Sequence, residues 1–182
     1  MAEQKKVLAI CGSTRENSSN HQLIIAISEL FSTQFQIVPA ANIGTLPHFN
    51  PDNNLEDIPA EIIILRQQIK NADGVLICTP EYAHGIPGSL KNLIDWTVSS
   101  NSFSGKPTAL ITASTDGTFA HGALLEVLKT IEAKNIENLH LLIQFIRTKF
   151  DEENKIKDER TLIAIKELMS GLIQTMDKIT AL

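Results

Sequence analysis

Much of what this 182-residue chain lacks is informative. It has only two cysteines, Cys11 and Cys78, so no disulfide framework can hold it together. Each ends an apolar run, which reads as a small core residue in a reducing compartment. A redox-active pair is the lesser alternative, since no C-x-x-C spacing occurs. No run approaches the roughly 20 apolar residues that span a bilayer. The start Met-Ala-Glu-Gln-Lys-Lys has no apolar signal core, so a cytoplasmic protein is expected. No block of lysine and arginine is present, and 16 basic against 21 acidic residues give a formal net charge of −5. That balance disfavours nucleic acid as a partner. The five histidines show no metal-ligand spacing. The Walker A pattern, the G-x-G-x-x-G fingerprint and the G-x-S-x-G nucleophile elbow are all missing.

What is present is an ordinary globular composition, 43% hydrophobic and 20% charged, at a length that fits one domain over residues 1–182. The chain alternates strand and helix throughout. Strands are expected at Lys6–Cys11, Phe35–Pro39, Gly74–Thr79, Thr108–Ala113 and Leu139–Phe145. Helices are expected at Ser19–Phe31, Ala60–Asn71, just after Pro87-Gly88, at Ala120–Ala133 and at Glu159–Ile179. Val75-Leu-Ile-Cys78 has no polar alternation, as in a strand covered on both faces. Five βα units without interruption predict an α/β fold: one open parallel sheet with helices on both faces. Ligands in such sheets lie beyond the carboxyl ends of the strands. The loops after strands one, three and four are therefore the candidates.

The first of these loops, Gly12-Ser-Thr-Arg-Glu-Asn-Ser-Ser-Asn20, runs straight into a helix. A helix N-terminus offers N–H groups and a positive dipole end to an anion. Ser13, Thr14, Asn17, Ser18, Ser19 and Asn20 add donors, and Arg15 adds charge. Helix capping accounts for one of Ser18, Ser19 and Asn20, but not for an arginine among so many further donors. With Gly12 as its only glycine, the loop suits one phosphate monoester, as in a mononucleotide, better than a pyrophosphate. In the second loop Tyr82 and His84 could pack against a ring. Taken singly, a half-buried surface tyrosine and an exposed turn histidine are the plainer readings. Glu81 could serve as a base or an acceptor, though a loop glutamate is commonly just solvated. The polar residues of the third loop, Ser114-Thr-Asp-Gly-Thr118, cap the next helix at least, and could aim N–H groups at a ligand.

Two segments carry a family resemblance. Gly12, Ser13, Arg15, Ser18 and Asn20 match a phosphate loop of the form G-S-x-R-x-x-S-x-N. Thr79-Pro-Glu-Tyr82, Gly85, Pro87, Gly88, Leu90-Lys-Asn92 and Ile94-Asp-Trp96 match a second, longer motif. Both resemble the NADPH-dependent FMN reductase family, the flavodoxin-like group that includes quinone, azo-dye and chromate reductases. Leu46-Pro-His-Phe-Asn-Pro-Asp52 and Phe150-Asp-Glu-Glu-Asn-Lys-Ile156 extend the likeness over nearly the whole chain. The loop after strand four is poorer in glycine than is usual for the family. Some relatives carry asparagine where this chain has Ala83.

The resemblance implies a flavodoxin-like three-layer sandwich with strand order 2-1-3-4-5 and non-covalently bound FMN. Ser13, Arg15, Ser18, Ser19 and Asn20 would hold the phosphate. Pro80, Glu81, Tyr82, His84 and Gly85 would line the isoalloxazine, mostly through backbone. Ser114, Asp116 and Gly117 would meet the pyrimidine edge. The implied activity is ping-pong transfer from NADPH or NADH through FMN to a small-molecule acceptor: a quinone, free flavin, azo or nitro compound, or chromate. No side-chain acid or base is required. Homodimers or homotetramers are expected, with the connection Ala41–Ile58 as interface and substrate wall. A non-enzymatic electron carrier of flavodoxin type is the alternative.

Overall fold

The computed structural model describes residues 4–54 and 58–180. Five parallel strands, β1 (Lys5–Cys11), β2 (Phe35–Pro39), β3 (Gly74–Thr79), β4 (Thr108–Ala113) and β5 (His140–Ile143), pair in the order β2-β1-β3-β4-β5. Five helices connect and cover them: α1 (Ser19–Leu30), α2 (Ala60–Asn71), α3 (Gly88–Val98), α4 (Thr118–Thr130) and α5 (Glu159–Thr180). The expected fold class and strand order are both observed.

Period-two alternation divides the core into two halves. In β1, Val7 and Ala9 face α1 and α5, against Leu23, Ile27, Ile165 and Met169. Leu8 and Ile10 face the other way, onto a core built with α2, α3 and α4 through Leu65, Leu93 and Leu124. Every residue of β3 and β4 is buried, as the unalternating Val75–Cys78 run requires. The helices of the two faces thus fix the sheet, and the loops at its carboxyl end become the free surface.

Several boundaries differ from expectation for local reasons. α4 begins two residues early because Gly117, at φ 93°, turns the chain in the left-handed region. A Cβ there would also lie 2.9 Å from the Leu142 side chain. β5 stops at Ile143 rather than Phe145, because Phe145 is itself left-handed (φ 52°) and opens a 3₁₀ turn at Ile146–Lys149. Within α1, Leu30 is exposed while Ala26 is buried.

The connection after β2 contains two 3₁₀ turns, Ile43–Thr45 and Pro51–Asn54, while residues 55–57 lie outside the described range. It is fastened to α3. Asn92 accepts from Phe49 N (2.7 Å) and donates to Pro47 O (3.0 Å), and Trp96 Nε1 donates to the same carbonyl (2.8 Å). Trp96 is fully buried and meets Phe49 edge-on at 5.1 Å. The i, i+4 spacing of Asn92 and Trp96 puts both on one face of α3, where they dock this long segment.

Candidate active site

At the carboxyl ends of β1, β3, β4 and β5 the loops enclose an open cleft of about 270 Å³. Its first wall begins at Gly12, whose N–H donates to Cys78 O at 2.7 Å. A Cβ on Gly12 would stand 2.2 Å from Thr79 Oγ1, so only glycine permits β1 and β3 to approach here. The next residue, Ser13, is buried with its Oγ 3.2 Å from the Tyr82 hydroxyl, which ties the first loop to the second. Ser18 caps α1 by accepting from Asn20 N at 3.2 Å. Capping thus accounts for one hydroxyl, and Ser13, Asn17 and Ser19 remain along the cleft wall. The first turn of α1 carries no acidic residue, so its positive dipole end is uncompensated.

Two of the chain's four arginines, Arg15 and Arg147, line this cleft, and neither has a carboxylate partner among the described residues. Asn20 forms part of the floor. Its amide nitrogen donates to Ala113 O (3.0 Å), while its buried Oδ1 has no donor among the described residues.

Pro80, Glu81 and Tyr82 form the second wall. The Glu81 side chain turns away from it. Its Oε2 accepts from Ala120 N at 2.8 Å in the first turn of α4, whose own N-cap, Gly117, has no side chain to offer. This carboxylate is a buried helix cap, and the cleft sees mainly the backbone of Glu81. Beyond Tyr82 the chain reverses in a two-residue hairpin closed by Tyr82 N to Gly85 O (3.1 Å) and Gly85 N to Tyr82 O (3.0 Å). Ala83 and His84 occupy its centre at φ 49° and 54°, the geometry of a type I′ turn.

From β4 the cleft receives Ala113, Ser114 and Thr115. Neither Asp116, which is exposed, nor Gly117, which is buried against Leu142, lines it. Thr118 and Gln144 both donate to the Asp116 carboxylate, at 2.6 and 2.9 Å, and hold it below the usual carboxylate range. Of the thirteen residues expected at the cofactor, nine line the cleft; His84, Gly85, Asp116 and Gly117 stand just outside it.

The fourth wall was not foreseen. Phe145, Ile146, Arg147 and Thr148 come from the turn after β5, stitched to the β4 loop by Phe145 N to Thr115 O and Ile146 N to Ser114 O, both 3.2 Å. An available signal was Arg147 itself, one of only four arginines and placed just past a strand end. None of the described residues of the β2–α2 connection reaches this cleft. The two cysteines lie side by side in register on β1 and β3. Burial raises the Cys11 thiol, and raises that of Cys78 well above its ordinary value. Cys78 is a buried core residue, as the plainer reading held, Cys11 is half-buried against the same core, and neither is poised as a nucleophile. Among the described residues no cluster of metal-ligating groups occurs, and no helix is long and apolar enough to cross a membrane.

A parallel sheet in this strand order, with a hydroxyl- and guanidinium-lined cleft at the α1 N-terminus, defines a nucleotide-binding protein of the flavodoxin-like class. The comparisons narrow this. A model of the NADPH-dependent FMN reductase family matches residues 5–147, and the chain belongs to that family. It is similar to a quinone reductase of Escherichia coli (29% identical, covering 89% of this chain and 90% of that one). It is also similar to an NAD(P)H-dependent FMN reductase of Pseudomonas aeruginosa (30%, covering 94% and 95%). Among solved structures, the flavoenzyme NAD(P)H:(acceptor) oxidoreductase FerB of Paracoccus denitrificans superposes with TM-score 0.80 at 28% identity, covering 96% and 98%. The chain is therefore a flavoenzyme whose cofactors are FMN and a reduced nicotinamide nucleotide.

Proposed function

We propose that the protein is an FMN-dependent NAD(P)H oxidoreductase that delivers electrons to a quinone in a ping-pong cycle. The observation that carries this reading is the pair of guanidiniums, without a carboxylate partner among the described residues, beside a helix N-terminus whose first turn has no acidic residue, in a chain of net charge −5. Such a donor set fits a phosphate dianion. The undonated Oδ1 of Asn20 fits a polyol hydroxyl on the same ligand.

Ser13, Arg15, Ser18, Ser19 and Asn20 would hold the phosphate end of FMN, with Arg147 contributing from the wall after β5. The backbone of Pro80 and Glu81, with Tyr82, flanks the ring. The Tyr82 and Gly85 hairpin, with His84 at its tip, borders the open side. Ser114 stands at the pyrimidine edge, with Asp116 and Gly117 supporting its loop. FMN bound there would supply the redox chemistry, the two-electron transfer from nicotinamide to the acceptor. The protein's part is positioning and charge. The positive N-terminal end of α1 and the Arg15 and Arg147 side chains favour an electron-rich ligand, and no side-chain acid or base is needed. Because one open cleft serves donor and acceptor in turn, the first product leaves before the second substrate enters. The names of the similar proteins support a quinone as acceptor. The two free thiols fit a cytoplasmic setting, and a second copy of the chain, as homodimer or homotetramer, is expected to cover the open side of the cleft.

Anaerobic titration of FMN-loaded protein with NADPH, followed at about 450 nm, tests the reading, since that absorbance belongs to the cofactor. Rapid bleaching reversed by a quinone is expected. Flavin that binds and stays oxidised would make the protein an electron carrier instead.

A further inference from the structure

The chain has seven phenylalanines, one tyrosine and one tryptophan. Six of these nine are buried or half-buried. The three that are exposed, Tyr82 (44%), Phe119 (57%) and Phe145 (60%), all follow the carboxyl ends of neighbouring strands, β3, β4 and β5. Tyr82 and Phe145 line the cleft; Phe119 does not, but it precedes Ala120, whose N–H holds Glu81 of the cleft wall.

Phe119 is not a loose surface residue. The His84 ring meets it edge-to-face, 4.7 Å between centroids at 86°. His84 is presented there by the I′ hairpin, in which two non-glycine residues are left-handed. Each such residue is strained, and strain of this kind persists where surrounding structure enforces it, often at ligand clamps. Glu81 fixes the base of the hairpin through Ala120 N, and His84 Nδ1 lies 3.7 Å from Glu81 Oε1. The aromatic pair is thus held from both loops and leaves Phe119 open to solvent.

We propose that the Phe119–His84 pair is the acceptor platform of the site: it receives a planar, uncharged ring such as a naphthoquinone and sets the preference for that class over oxyanions. The proposal rests on the reductase reading above. An exposed ring held at a fixed angle favours offset or edge contact with a flat ligand. The carboxylates of Glu81 and Asp116 flank the pair and repel an anionic acceptor such as chromate.

The direct test is binding. The redox-inert 1,4-dimethoxynaphthalene is titrated into FMN-loaded protein while the imidazole protons of His84 are followed by NMR. A saturable ring-current shift is expected, weakened about tenfold in Phe119→Ala and restored in Phe119→Trp. The kinetic test uses photoreduced protein, which needs no nicotinamide. The ratio of menadione to ferricyanide reoxidation rates is expected to fall about tenfold in Phe119→Ala. An absent His84 shift, or an unmoved ratio, would overturn the proposal. So would a Phe119→Ala protein in which only reduction by NADPH slows, since the platform would then serve nicotinamide. Failure of the wild-type protein to accept electrons from NADPH would sink the reductase reading, yet leave both platform tests readable.

Discussion

Replacing Arg15 and Arg147 by alanine, singly and together, probes the cleft most directly. Neither guanidinium pairs with a carboxylate among the described residues, so neither substitution strands a buried partner. What is lost is the interaction with the ligand. A hydrogen bond to a charged group is worth about 1.5–3 kcal/mol net, which is roughly 10- to 150-fold in Kd. Both side chains are exposed, which places each single variant at the low end, about tenfold, and makes the loss salt-dependent. If both arginines hold one phosphate, the double variant departs from additivity by about 0.5 kcal/mol or more. Fluorescence titration of apoprotein with FMN measures these constants. Riboflavin, which lacks the phosphate, is the control and should bind wild type and variants alike. An Arg15→Ala protein with wild-type FMN affinity would defeat the phosphate assignment. An Arg147→Ala protein with unchanged FMN affinity but a raised KM for NADPH relative to NADH would move Arg147 to the nicotinamide nucleotide.

Three further predictions concern the scaffold. Gly12→Ala forces a Cβ to within 2.6 Å of Thr79 Cβ as well as against its hydroxyl. It should cost about 1–3 kcal/mol by denaturant unfolding, with recovery by Thr79→Gly but not by Thr79→Ala; recovery by both would refute the clash. Ala83→Gly relieves a left-handed alanine (φ 49°) and should raise stability by about 0.5 kcal/mol, whereas Ala83→Val should lower it; the reverse order in thermal melts would remove the strain argument. Burial beside His140 lowers the pKa of His121 to about 4, so the folded state resists a proton that the unfolded chain accepts below about 6.5. Stability should therefore be full above pH 6.5 and fall by about 2 kcal/mol as pH drops towards 4, after discounting for solvent screening. An NMR titration of His121 with a midpoint near 6.5 would refute it.

How far the sequence carried these conclusions depends on where the information lies. β2, α2, β3 and β4 were legible to the residue, because apolar runs bounded by Pro, Gly, Asn or Asp report both burial and its limits. That the loop after β1 would line the cleft was legible because hydroxyls and an arginine cluster between a strand end and a helix N-terminus. Glu81 was harder to read. Its residue type fits a cleft, but its partner, Ala120 N, lies 39 positions away, and only the folded chain shows that the carboxylate caps α4. The wall after β5 was missed for a related reason. Phe145 continues an apolar run, so the strand was read through it. What ends the strand is a left-handed phenylalanine held by the carbonyl of Thr115, a tertiary contact with no local signature. The same contact places Arg147 on the cleft. Local pattern thus reports which segments are covered, while the orientation of a polar side chain at the rim is decided by neighbours distant in sequence. The four expected residues that stand outside the cleft, His84, Gly85, Asp116 and Gly117, illustrate the difference. Each sits in a loop that the pattern identified, and each is turned by a hydrogen bond or a left-handed φ that the pattern could not contain.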